Sequence, residues 1–195
     1  MKLVYSVGVN DKKYPAYIQK VCTREYRIWN GMIRRCYDVS FHERNRSYIG
    51  CTVSENFKSY SYFYEWCQEQ IGFENEAWQL DKDILVKGNK LYSENVCLFI
   101  PQELNCLLTT SRAARGEYPL GVTYDQKVGQ FCAQGCFFEE PCRKHIGYYS
   151  TASQAFLAYK TLKESFIKQQ AEKWKADIDP RAYHALMNYQ VEITD

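Results

Sequence analysis

A chain of 195 residues, 46% hydrophobic and 25% charged, can bury a core as one large domain or two small ones, which excludes fibrous and disordered classes. A formal net charge of +2 excludes a strong global pull on nucleic acid, so any basic surface is local. Basic clusters do occur at Arg34 and Arg35, Arg44 and Arg46, Lys87 and Lys90, Arg112 and Arg115, and Arg143 and Lys144, though a solvated face carries the same pattern.

From the N-terminus to about Trp78 the pattern predicts helices joined by loops. Trp29, Met32, Ile33 and Cys36 recur at helical spacing, and the polar run FHERNRSYIG then breaks it. A second amphipathic run extends from about Ser59 to Gln70 with Phe63, Trp66 and Cys67 on the buried side. The spacing next predicts a strand over Gln79–Leu85, a turn at Lys87-Gly88-Asn89 and a second strand over Val96–Ile100. Pro101 then suits the first position of a helix, where its missing N–H would be unpaired anyway. The small, polar and basic run TTSRAARGE, residues 109–117, reads as a linker. Beyond it LGVTYD, QFCAQGCFF and KHIGYY predict a small antiparallel sheet. Thr151 with Gln154 forms a capping box ahead of a long helix striped by Ala155, Tyr159, Leu162 and Phe166. A short helix after Pro180 and an alternating, strand-like tail close the chain. No stretch approaches the ~20 apolar residues of a membrane span.

The cysteine count is nine, an odd number, and no N-terminal apolar run acts as a secretion signal, so reduced thiols in the cytoplasm are expected. Cys132, Cys136, Cys142 and His145 read C-x3-C-x5-C-x2-H, which fits neither common zinc pattern and which alternating strand residues explain equally well. Aromatic residues are plentiful, with 17 Tyr, and their polar-edged rings serve cores and nucleic-acid surfaces alike.

The stretch QLDKDILVKGNKLYSENVCLFIPQELN orders strand, loop, strand and helix with Asp81 ending the first strand and Asn105 on the helix. A hard divalent cation wants oxygen ligands, and a carboxylate with an amide oxygen would supply two while leaving positions for water and phosphate.

That segment resembles an HNH endonuclease motif of the ββα-metal type, in the branch whose first His pair is replaced by Asp-His. The resemblance implies metal ligands at Asp81 and Asn105, a loop-tying Asn at Asn95, and the general base at Lys82, with Asp83 beside it. Lysine in place of histidine departs from the pattern, since Asp81 and Asp83 favour its charged form. Another group then activates water, with His42 and His145 as candidates, or Lys82 binds phosphate, or the site is inactive.

The flanking runs YRIWNGMIRRCYD and SYIGCTVSENFKSYSYFYEW resemble the HNH homing endonucleases of tailed bacteriophages. PLGVTYDQKVGQFCAQ with HIGYYSTASQAFLAY resembles the DNA-binding domain of plant ethylene-response factors, in which a sheet lies in the major groove. Carried over by position, the groove-facing residues would be Thr123, Lys127, Gln130, Gln134, Arg143, Lys144 and His145. Several Arg and Trp of the plant pattern are Thr, Val and Phe here, so its base preference does not transfer.

The expected fold class is therefore α+β. A ββα-metal nuclease domain with a helical N-terminal segment would fill residues 1–108, a linker 109–117, and a three-stranded antiparallel sheet packed on one long helix, with a C-terminal helix and tail, 118–195. The expected function is a metal-dependent homing or nicking DNA endonuclease using Mg2+ or Mn2+ on double-stranded DNA, as a monomer and with no membrane partner. The alternative is a weakly active or inactive DNA-binding relative that regulates or inhibits a host system. A protein-interaction scaffold, the third reading, would show no salt-sensitive DNA binding.

Overall fold

The computed structural model describes residues 3–108, 117–136 and 144–193, which form a mixed α+β structure. The chain divides into two compact units, the first made of residues 1–102 with 177–182 and the second of 103–176 with 183–195. Among the described residues no helix is long and apolar enough to cross a membrane.

The first unit is built around two helices. In α1 (Arg24–Tyr37) the helical-period residues Trp29, Met32, Ile33 and Cys36 are all buried. They face α3 (Tyr60–Gln68), which buries Tyr60, Phe63, Trp66 and Cys67. The Trp29 Nε1–H donates to the Phe57 carbonyl at 2.8 Å, so the largest core side chain keeps its polar edge paired. Between them in the chain comes the short α2 (Val39–Arg44), capped by Asp38, whose carboxylate accepts from the Ser40 and Phe41 N–H groups.

The strands of this unit are short and come in pairs. β1 (Tyr17–Ile18) and β2 (Val21–Cys22) form a hairpin, and β3 (Thr52–Val53) pairs in parallel with β5 (Leu91–Tyr92). Neither pair follows from the sequence, because two-residue strands show no periodicity. β4 (Trp78–Asp81) pairs antiparallel with β6 (Leu98–Pro101), Asp81 lying opposite Leu98. The first of these is shorter than the expected Gln79–Leu85, because the Asp81 carboxylate takes the Asp83 and Ile84 N–H groups and turns the chain. The second starts later than the expected Val96, whose N–H is held in a turn by the Ser93 carbonyl. Pro101 ends that strand, and α4 (Gln102–Leu108) begins one residue later.

In the second unit β7 (Val122–Asp125), β8 (Gln130–Gly135) and β9 (Lys144–Tyr149) form a three-stranded antiparallel sheet in that order, as expected. α5 (Ala152–Trp174) packs on it, and Val122, Ala133, Ala155, Phe156, Tyr159 and Val191 make the buried cluster. The Thr151 Oγ1 accepts the Gln154 N–H at 3.2 Å, the capping half of the expected box. Of the expected stripe, Ala155 and Tyr159 are buried and Phe166 is partly buried, whereas Leu162 is exposed. A short α6 (Pro180–Met187) follows, and the described tail, residues 188–193, holds no strand: Val191 is buried and its N–H reaches Glu164 Oε1 at 2.8 Å.

Candidate functional site

Two places carry the residues singled out in the sequence. The first is the loop between β4 and β6. Asp81 is 8% exposed, and its Oδ1 accepts from the Asp83 N–H at 2.8 Å and the Ile84 N–H at 2.6 Å. Burial pushes the Asp81 carboxyl above its ordinary range, against the pull of those two N–H bonds and of the Lys82 charge.

Lys82 is buried too. Its Nζ donates to both Asp83 carboxylate oxygens, at 2.7 and 2.6 Å, and to the Asn89 carbonyl at 2.6 Å, and it lies 5.7 Å from the centre of the Tyr92 ring. On the other side of the problem, Asn89 laces the loop shut: its Nδ2 donates to the Lys82 carbonyl at 2.8 Å and the Leu91 carbonyl at 2.6 Å, while its Oδ1 accepts the Leu91 N–H at 3.0 Å. The loop-tying bonds that the resemblance would give to Asn95 are thus made by Asn89. Asn95 takes part through its backbone carbonyl, which accepts from Arg181 Nη1 at 3.4 Å. Read only as a turn residue, Asn89 had one sequence signal, its place after Gly88, where an Asx side chain closes a loop on its own backbone.

The two candidate bases stand apart from this loop's bonds. His42 Nε2 lies 2.8 Å from the Arg35 carbonyl, which can only accept, so that nitrogen carries the proton and the ring ties α2 to α1. His145 belongs to the second unit, as does Asn105, whereas Asp81, Lys82 and Asp83 belong to the first.

The second place is the sheet face turned away from α5. Strand alternation puts Val122, Phe131, Ala133 and Tyr149 on the core side, and Thr123, Cys132, Gln134, His145 and Tyr148 on the other. A register shift at Ala133/Gln134 leaves Ile146 with the core and sets His145 opposite Gln134. On the outer face the Gln134 Nε2 donates to Thr123 Oγ1 at 2.9 Å, the His145 and Tyr148 rings lie 4.7 Å apart, and the Tyr148 hydroxyl donates to Asp125 Oδ2 at 2.9 Å. That hydroxyl, helped by the Lys127 and Val128 N–H groups, holds the Asp125 carboxyl below its ordinary range. Gln130 stands exposed at the start of β8 opposite Asp125, Lys127 lies in the β7–β8 turn, and Lys144 opens β9 exposed. Arg143 and Cys142 lie outside the described residues. Tyr148 and Asp125 escaped the sequence reading, because strict alternation sets Tyr148 on the face opposite His145 and only the register shift at Ala133/Gln134 brings the two together.

No family model, curated protein or solved structure matches the chain. The assignment of chemistry therefore rests on these two geometries.

A hard divalent cation does not fit the described donors at the loop. Burial raises the Asp81 carboxyl above its ordinary range, and one of its oxygens is committed to two N–H groups. Both Asp83 oxygens hold the Lys82 amine, which would face an incoming cation with like charge. Among the described residues no three His, Cys, Asp or Glu side chains gather as a metal cluster, Cys132, Cys136 and His145 included. The Lys82 amine is engaged in three donated hydrogen bonds, two to the Asp83 carboxylate and one to the Asn89 carbonyl.

Proposed function

We propose that the chain binds duplex DNA through the outer face of the β7–β8–β9 sheet and works as a DNA-binding protein on a nuclease-type scaffold, a regulator or an inhibitor of a host system. The observation that carries this reading is the clustering of Thr123, Gln134 and His145 on one open sheet face, with Gln130 and Lys144 at its strand ends and Lys127 in its turn. A two-stranded ribbon or small sheet enters the major groove, where Gln pairs bidentately with adenine and Lys meets guanine or phosphate. Asp125 sits on the same face with its charge partly spent on Tyr148, which limits its repulsion of phosphate.

Fluorescence anisotropy with mixed-sequence duplexes tests the reading. Affinity should fall with salt by ~0.9 log unit per log salt for each phosphate contact, and Gln134→Ala with Lys127→Ala should weaken it at every salt concentration. No binding at low salt by the folded chain would refute it.

Metal-dependent strand cleavage is the second reading, favoured by the order β4, Asn89-laced loop, β6, α4, which is the order that the nuclease resemblance requires. Nicking of supercoiled plasmid in Mg2+ or Mn2+ by wild type, lost in Asp81→Ala and in Asn105→Ala, would establish it. The Asp83-bound Lys82 amine and the buried Asp81 carboxyl support the opposite result, no nicking by wild type or by Lys82→His.

A further inference from the structure

The β1–β2 hairpin exposes what a folded protein normally hides. Ile18 is 58% exposed and Val21 69%, and they face each other directly across the two strands, so their side chains stand together on one face of the tip. Between them the turn residues Gln19 and Lys20 both take left-handed backbone angles, φ 48° and 66°, the two-residue turn that matches strand twist and fixes the tip. The base is equally fixed. The Thr23 N–H and Oγ1 donate to the Ala16 carbonyl, and the hydroxyl of Tyr60, a fully buried core residue, donates to the Pro15 carbonyl at 3.1 Å. Tyr17, on the other face, leans on Tyr26. The hairpin is thus an apolar point on a rigid mount.

Charge says what it meets. From Asn10 to Arg27 the chain carries five cations, Lys12, Lys13, Lys20, Arg24 and Arg27, against two carboxylates, Asp11 and Glu25. Lys13 is paired with Glu65 and Arg24 with backbone carbonyls, which leaves Lys20 exposed in the turn itself and Lys12 and Arg27 exposed in the chain segments that flank the hairpin. Apolar side chains at a rigid tip that carries one cation in its turn and has further cations in the flanking chain suit a polyanion with apolar stacks inside it. A lipid-like or protein partner would need a wider apolar surface than one pair of side chains.

We infer that the Ile18–Val21 pair is a DNA wedge that inserts at a base step and unstacks it while Lys12, Lys20 and Arg27 hold the flanking phosphates. This inference rests on the reading of the chain as a duplex-DNA binder. Aliphatic side chains inserted between base steps kink duplexes, and the cost is lowest at pyrimidine–purine steps.

The test uses the full chain with duplexes carrying 2-aminopurine at a TA or CA step and a donor–acceptor dye pair at their ends. Binding by wild type should raise the 2-aminopurine signal and shorten the end-to-end distance. Ile18→Ser/Val21→Ser, changed only at exposed positions, should keep the salt dependence, bind roughly tenfold more weakly and leave both signals at the free-DNA level. Ile18→Leu should retain them. Wild-type binding with no change in either signal overturns the wedge and leaves the sheet reading intact, whereas absence of binding removes the sheet reading and the wedge with it. Signals unchanged in the Ser/Ser variant, or a wild-type dimer that this variant converts to monomer, would also overturn it, the latter making the tip a contact between copies.

Discussion

At the scale of single residues, Asp81 decides whether the loop is structure or chemistry. Burial raises its carboxyl pKa, so the folded chain holds that proton more tightly than the unfolded one. The contribution is therefore most favourable below the unfolded value and is lost as pH rises from the ordinary Asp range through the raised folded value. Asp81→Asn keeps an oxygen for the Asp83 and Ile84 N–H groups and removes the ionisation, so it should hold or increase stability at pH 7 and flatten the acid side of the stability profile. Asp81→Ala strands both N–H groups and should cost about 1–3 kcal/mol by urea unfolding. A loss in Asp81→Asn as large as that in Asp81→Ala would mean that the charged form is what the fold needs. Asn89 was the residue hardest to weigh from sequence, since a turn Asn and a loop-lacing Asn look alike until their partners across the loop, Lys82 and Leu91, are placed.

At the scale of elements, the long periodic pieces were legible and the short ones were not. α1, α3 and α5 announce themselves because three or four apolar residues repeat at helical spacing, and β9 because its boundaries coincide with KHIGYY. The β1–β2 hairpin was invisible because Gln19-Lys20 replaces the Asn-Gly that usually marks such a turn. The strand reading at 79–85 failed through unrecognised turn chemistry at Asp81, whose side chain competes for the backbone. The sheet of the second unit rests on one glycine. Gly121 enters β7 at φ 77°, and a Cβ there would collide with the Tyr159 ring of α5. Gly121→Ala should therefore combine backbone strain with a lost sheet–helix fit and destabilise the fold by about 2–4 kcal/mol. Near-UV circular dichroism would show it as loss of aromatic order, and a variant as stable as wild type would show that α5 can move away at little cost.

For the whole molecule, the segment 177–182 ties the end of the chain to its beginning. It belongs to the first unit, with Ile178 buried and Arg181 reaching the Asn95 carbonyl, although the second unit's residues 103–176 intervene. Ile178→Ala should cost about 2–4 kcal/mol through the cavity it leaves. Trp29, Trp66 and Trp78 report on the first unit and Trp174 on the second, so denaturation followed by tryptophan fluorescence reads mainly the unit concerned. A loss below about 0.5 kcal/mol, the size expected of a surface change, would place the segment outside that core.

The return of residues 177–182 also sets a timetable. A ribosome that has delivered the first 102 residues has not delivered the piece that completes their unit, and at ~5–20 residues per second the wait is on the order of ten seconds. Throughout that interval the nascent first unit has the seat of Ile178 open, and the exposed Ile18–Val21 tip stands beside no finished fold. Its completion waits on residues made after most of the second unit, so a chain cut short anywhere before residue 177 leaves both units incomplete.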